Sequence, residues 1–261
     1  MIKLENKIGT TETGDPCWDL GWTNRLRPVN IIITKNLSNE MIDTLLTDEC
    51  MRTCILHLTI TGWGSSFMEP NVPPVVQNLR QLIKLVDRGF NKDHIVARID
   101  PIIPTDTGLA FLVSTLSGLS LTGLEIKRVR VSVLDMYPHV LGRFRANNAE
   151  IPYTSFQAPD DLMRKVDNTL SMFSDEFEFE SCAEPKLTVP KKVGCVSQTD
   201  IDLISPEFPV TLGDISGKQR SECLCPNNKV NILPGAPGMC HHKCLYCYWT
   251  RFRKVNINVI K

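Results

Sequence analysis

The feature that most restricts the fold is an alternation of short β-type runs with helical patterns through the first two-thirds of the chain. The runs Lys3–Gly9, Val29–Thr34, Thr53–Thr61, His94–Asp100, Arg128–Leu134 and Phe177–Cys182 are the candidate strands. Over Pro74–Arg88, Val75, Leu79, Leu82, Ile83 and Val86 recur at helical spacing, and Gly89 follows as a stop. Leu162, Val166, Leu170 and Phe173 mark a second helix, with Asp160 or Asp161 as its cap. Shorter helices are expected near Ser38–Leu46 and Thr107–Ser117. Strands separated by helices imply βα units and a largely parallel sheet, because parallel neighbours need a long crossover. The expectation is an α/β fold, a partial (β/α)6-type barrel, for which 261 residues suffice.

Ligands in such folds collect at the carboxyl ends of the strands. The residues that follow the six runs are Glu12, Thr13 and Asp15, then Thr34-Lys35-Asn36, then Thr61-Gly62-Trp63-Gly64. Asp100-Pro101, Asp135-Met136-Tyr137 and Cys182-Ala183-Glu184 complete the set. A site-bearing face carries such residues, although ordinary surface loops share the composition.

From Cys182 onward the texture changes. Pro185, Pro190, Pro206, Pro209, Pro226, Pro234 and Pro237 interrupt the chain, and long helical patterns disappear. The expected organisation is a partial barrel over 1–181 and a cysteine-rich segment over 182–261, packed together as one structural unit. Of the ten cysteines, seven lie at or beyond Cys182 and five between Cys223 and Cys247. The N-terminus lacks an apolar run of signal-peptide length, and no stretch approaches the roughly 20 apolar residues of a membrane span. The expectation is therefore a cytoplasmic protein with no membrane association, in a reducing compartment where clustered cysteines indicate metal rather than disulfides. A metal also supplies ordering free energy that a Pro-rich segment cannot gain from apolar burial. Lys+Arg and Asp+Glu both total 29, so no net field favours nucleic acid or a membrane surface.

The most informative segment is Met239-Cys240-His241-His242-Lys243-Cys244-Leu245-Tyr246-Cys247-Tyr248-Trp249. Its spacing is C-x3-C-x2-C, with an aromatic residue before the third cysteine. Three thiolates can hold three irons of a [4Fe–4S] cubane and leave the fourth open. This spacing, with Tyr246, resembles the radical S-adenosylmethionine (SAM) superfamily. The wider chain looks like an uncharacterised bacterial and phage family of radical-SAM-like proteins whose cysteine motif sits at the C-terminus. The segments that carry the likeness include Thr59-Ile60-Thr61-Gly62-Trp63-Gly64, Glu69-Pro70-Asn71-Val72-Pro73, and Arg98-Ile99-Asp100-Pro101-Ile102. Gln219-Arg220-Ser221-Glu222-Cys223-Leu224-Cys225 belongs to them too, so that coverage runs from about residue 30 to 249.

The resemblance implies an enzyme in which Cys240, Cys244 and Cys247 hold the cluster, SAM binds its open iron, and a flavodoxin or ferredoxin supplies electrons. It leaves the substrate open among a nucleotide or nucleic-acid base, a peptide and a small metabolite. Cys182, Cys195, Cys223 and Cys225 share the resemblance and suffice for a second, auxiliary [4Fe–4S] cluster; a four-cysteine zinc site and reduced thiols are the alternatives. Gly62 and Gly64 permit close backbone approach to SAM, and Glu69 is a candidate for its ammonium or ribose; a glycine turn and a solvated acid are the plainer readings. Arg98 and Asp100, two apart on a strand, share a face and are either pocket residues or a buried ion pair. Lys35 is a candidate for a carboxylate or phosphate, and Asp135 and Tyr137 for substrate contact. His241 and His242 are expected to shape the loop without binding metal. Tyr248, Trp249, Arg251, Arg253 and Lys254 form an aromatic-basic run that either packs the loop or meets bases and phosphates. Cys50 and Cys54 read as small core residues. Two rival classes remain: a zinc-stabilised binding module without redox chemistry, and an electron-transfer Fe–S protein.

Overall fold

The alternation becomes a single eight-stranded, all-parallel sheet in the computed structural model, which describes residues 5–205, 209–216, 222–235 and 240–249. The strands are β1 (Ile8–Thr10), β2 (Val29–Thr34), β3 (Cys54–Thr59), β4 (Ile95–Ile102), β5 (Arg128–Val133), β6 (Glu178–Ser181), β7 (Lys191–Lys192) and β8 (Lys229–Asn231). They lie in the order β7-β6-β5-β4-β3-β2-β1-β8, with every pairing parallel. All six expected strands are present. The start of the first expected run, Lys3-Leu4, lies outside the described residues.

Two strands were not expected. Lys191–Lys192 is a two-residue exposed pair and Lys229–Asn231 a three-residue stretch with Val230 as its one β-branched residue, too little to mark either as a strand. The count of six is therefore corrected to eight. Both added strands come from the segment after residue 181 and sit in the same sheet as the rest.

From β1 to β7 each strand lies beside its neighbour in the chain, and β8 pairs with β1 at the opposite edge from β7. This differs from a doubly wound sheet, whose order reverses at a switch point. Crossovers that step one way with one hand place their helices on one face. Those helices are α1 (Asn39–Leu45), α2 (Asp48–Thr53), α3 (Val75–Asp87), α4 (Asp106–Ser120), α5 (Pro138–Ala146) and α6 (Asp160–Ser171). Pro159 rather than either aspartate occupies the cap of α6, and Asp160 and Asp161 sit in its first turn, where they favour the helix dipole. Leu79, Leu82, Leu116, Phe144 and Leu170 from the helices pack on Ile32, Leu56, Leu58, Ile99 and Val131 of the sheet. Cys50 and Cys54 are buried in this core. No helix among the described residues is long and apolar enough to cross a membrane.

Side chains on the other strand face form a second, smaller core. Ile8, Val29, Ile31, Ile55 and Val96, toward the amino ends of their strands, meet Val196, Ile201 and Ile204. The last two belong to α7 (Gln198–Ile204), a helix too short for its periodicity to stand out in the sequence. Ser197 and Asp200 start it with a reciprocal capping box. Buried charges lock it to the sheet: Arg128 of β5 donates to Asp200 at 2.8 Å and pairs with Glu180 of β6. Arg130 binds Glu180 at 2.5 Å and donates to the Cys195 carbonyl at 2.7 Å. The sheet edges also meet through their flanking residues. The Cys195 N–H, just past β7, donates to Cys225 Sγ at 3.2 Å, just ahead of β8. A Cβ on Gly194 would stand 2.7 Å from the Leu224 carbonyl oxygen, so glycine is what lets these two backbones approach.

Candidate cysteine-lined site

With α7 filling the amino-terminal side of the inner face, open space remains at the carboxyl ends of the strands. A cavity of about 190 Å³ lies there. Glu12 and Asp15 line it from beyond β1, and Lys35 from beyond β2. Arg98 and Asp100 come from β4, and Asp135 and Tyr137 from beyond β5. Cys240, His242, Cys244, Tyr246, Cys247, Tyr248 and Trp249 arrive from the C-terminal loop. Three cysteines adjacent in sequence thus face the same space as the strand ends.

The loop after β3 holds the cysteine loop in place. The Leu245 N–H donates to the Met68 carbonyl at 2.9 Å, and Asn71 Nδ2 donates to the His241 carbonyl at 2.6 Å. His242 lies 2.9 Å through Nδ1 from the Asn71 carbonyl and 2.8 Å through Nε2 from Asp15. Both partners are acceptors, so the ring must carry both protons to satisfy them. The titration agrees. Burial disfavours charge on His242, but the bond to Asp15 overrides it and raises the pKa. Burial likewise pushes the Asp15 carboxyl up, yet His242, the Lys35 N–H and Thr34 bring it below its ordinary value. From α5, Arg143 donates to the Leu245 carbonyl at 2.7 Å and also to that of Cys247. Lys243 adopts a left-handed φ of 57° between the first two cysteines.

Glu69 sits behind the cavity wall, 1% exposed. It accepts from Lys35 Nζ at 2.8 Å, from Thr61 Oγ1 at 2.7 Å and from the Tyr246 hydroxyl. Burial alone would raise its pKa; Lys35 and the two hydroxyls lower it. Lys35 Nζ also donates to the Tyr246 hydroxyl at 2.9 Å. The carboxylate expected to meet SAM is therefore occupied in anchoring Tyr246. Gly62 and Gly64 do not line the cavity either. Gly62 has φ +88°, and a Cβ there would lie 2.6 Å from Phe111 Cβ; one on Gly64 would lie 2.1 Å from the Pro73 carbonyl oxygen. Their absence of side chains serves the packing of this loop.

Arg98 and Asp100 line the cavity and pair with each other, and both are only partly buried. Lys229 of β8 pairs with Glu12, reaching Oε2 at 2.8 Å. Burial, followed by Cys195, still raises the Glu12 pKa against the pull of Lys229. Tyr137 stacks on Tyr248 at 5.7 Å between centroids. Burial pushes the Cys240 thiol up to about 12, with Asp15 adding to it, and lifts Cys244 well above its ordinary value although Lys35 pulls it down. Thiols in that state release protons when they take a metal.

A second cysteine group stands at the sheet edges. Cys182 follows β6, Cys195 lies past β7, and Cys223 and Cys225 precede β8. The Cys182 sulfur is 3.8 Å from that of Cys223 and 3.9 Å from that of Cys225. All three are buried and mutually close enough to hold one metal ion. Cys195 packs against them and also borders the cavity.

Residues 25–249 match the family described as Domain of unknown function (DUF1848). The chain belongs to that family. No curated protein and no solved structure matches it. The DUF1848 match takes in β2 to β8 and both cysteine groups, while β1, Glu12, Asp15 and Cys17 precede it. Within this DUF1848 chain, the sequence marks Asp15 only as a strand-end residue and Asn71 only as part of a matching segment, and gives no sign of Arg143. Asp15 and Arg143 lie 225 or more and 97 or more positions from the nearest motif cysteine only along the chain, and the fold closes that distance. Arg251, Arg253 and Lys254, together with Met239 and Gln219-Arg220-Ser221, lie outside the described residues.

Proposed function

We propose that this chain is a radical SAM enzyme: Cys240, Cys244 and Cys247 hold a [4Fe–4S] cluster whose open iron binds SAM. The observation that carries the reading is the convergence of all three cysteines of the C-x3-C-x2-C loop on one cavity at the carboxyl ends of a parallel sheet. The sequential strand order, with β8 beside β1, further supports a barrel-like closure around that cavity.

The donor set suits the cluster. Three thiols on one short loop can each take an iron and leave one unligated, and no fourth cysteine lies inside that loop. When bound, the cluster supplies the electron that splits SAM into methionine and a 5′-deoxyadenosyl radical. The chain's own residues bind, orient and exclude water. Asn71, Met68 and Arg143 fix the backbone between the cysteines. Asp15 and the protonated His242 anchor the loop to the end of β1, and Glu69 with Lys35 anchors Tyr246. Arg98, Asp100 and Glu12 offer charged groups to the amino, carboxylate and ribose parts of SAM. Tyr137, Tyr248 and Trp249 cover the cavity with aromatic surface. The reaction calls for a one-electron donor such as a flavodoxin or ferredoxin and a reducing compartment, the cytoplasm. Its substrate class is a nucleotide or base, a peptide or a small metabolite.

Anaerobic incubation of the iron- and sulfide-reconstituted protein with SAM and dithionite tests this. The expected product is 5′-deoxyadenosine, abolished by Cys244→Ala because two thiolates do not retain the cubane. Full turnover in that variant, or a colourless wild-type protein that takes up no iron, overturns the reading.

A further inference from the structure

We propose that Cys182, Cys195, Cys223 and Cys225 form a closed, single-ion zinc site that clasps the two edges of the sheet. This goes beyond the SAM reading and does not need it.

The distances select the metal species. A zinc–thiolate bond is about 2.3 Å, which puts neighbouring sulfurs of a tetrahedron about 3.8 Å apart. Cys182 Sγ lies 3.8 Å from Cys223 Sγ and 3.9 Å from Cys225 Sγ. A cubane distributes its four thiolates over four separate irons, which holds the sulfurs farther apart than the ligands of one ion. Four soft thiolates in a tetrahedron are the donor set of a structural zinc. Cys195, which packs against this group, is the proposed fourth ligand, and its backbone N–H donates to Cys225 Sγ at 3.2 Å. Such N–H···S bonds orient and stabilise a metal-bound thiolate.

The charge and the topology agree. Zn²⁺ with four thiolates carries two negative charges, and binding forms four Zn–S bonds, releases four protons to solvent and moves no electron. Lys229 pairs with Glu12 close enough to Cys195 and Cys225 for their charges to interact, and Arg130 donates to the Cys195 carbonyl at 2.7 Å. The ligands come from three segments, one past β6, one past β7 and one ahead of β8. One ion therefore ties β6 and β7 to the segment entering β8, although β7 and β8 are not paired with each other among the described residues.

Metal analysis of the full-length protein decides the matter. The wild type should hold about one zinc per chain in addition to iron. Cys244→Ala should lose iron and keep the zinc. Cys223→Ala should lose the zinc. Should that variant fail to fold, titration of the wild type with a mercurial thiol reagent replaces it, with one zinc released into a chromophoric chelator as the four thiols react. About eight irons per chain with no zinc after reconstitution would establish a second cubane and overturn the proposal. A Cys244→Ala chain free of all metal would overturn it too. Failure of the SAM reading would register separately, as absent 5′-deoxyadenosine with the zinc intact.

Discussion

The two cysteine groups use one side chain to build opposite kinds of site. Cys240, Cys244 and Cys247 ride on a single eight-residue loop and border a cavity, with Cys240 and Cys247 only partly buried. Cys182, Cys195, Cys223 and Cys225 gather from three segments; the Cys182 sulfur lies 3.8 Å from that of Cys223 and 3.9 Å from that of Cys225, and Cys195 packs against them. The first arrangement borders open space and the second packs sulfur against sulfur. Open coordination is what catalysis requires, and closed coordination is what a structural ion requires. The difference lies in how the backbone presents the thiols, not in the thiols themselves.

The largest test of that contrast is reciprocal. Cys244→Ala should remove all 5′-deoxyadenosine formation and leave thermal stability and zinc in place, whereas Cys223→Ala should lower the melting temperature sharply or prevent soluble expression. Metal content, turnover and melting curves read the two losses; a folded Cys223→Ala chain that lost iron as well would merge the groups into one.

Next is the charge network that holds α7 beneath both groups. Asp200→Ala leaves Arg128 buried without its closest partner, which should cost about 3–5 kcal/mol in urea unfolding. A loss below 1 kcal/mol would mean that the clasped edges, not these charges, hold α7.

Asp15→Asn sharpens the description of the open site. It removes the charge that keeps His242 protonated and loosens the loop that carries the three cysteines, which should lower SAM cleavage by about 10- to 100-fold, the scale expected when groups that orient metal ligands are disturbed. Zinc content should stay unchanged.

The smallest effect concerns His57, on the inner face of β3, whose ring nitrogens both lack a hydrogen-bond partner. Burial, then Arg130, Arg98 and Arg128, hold its pKa well below 6.5. The unfolded chain therefore binds a proton near pH 6.5 that the folded chain refuses. Stability is full above that pH and declines below it, by about 1.4 kcal/mol between pH 7.5 and 5.5. Comparing the unfolding free energies of wild type and His57→Gln at both values isolates this share; identical slopes would mean that the ring gains a proton without penalty.

Much of the fold was legible because it is written in local periodicity. The β2, β4 and β5 runs and the α3 stripe announce themselves by composition alone. The C-terminal cysteine loop was legible for a related reason, since its three cysteines fall within eight residues. What escaped was long-range. β7 and β8 carry lysines and an asparagine and exist through their neighbours, and α7 is two turns long. In the sequence Glu69 stands as a candidate for the ammonium or ribose of SAM or as a solvated acid; only the fold brings Lys35, Thr61 and Tyr246 to it. The four edge cysteines could be counted in advance, but their spacing along the chain says nothing of sulfurs 3.8 Å apart.

The placement of α7 has a consequence for how the chain can change. Because Val196, Ile201 and Ile204 cover the amino-terminal halves of the strands while the cavity sits at their carboxyl ends, substitutions that fit α7 to the sheet and substitutions that reshape the cavity fall largely on separate residues.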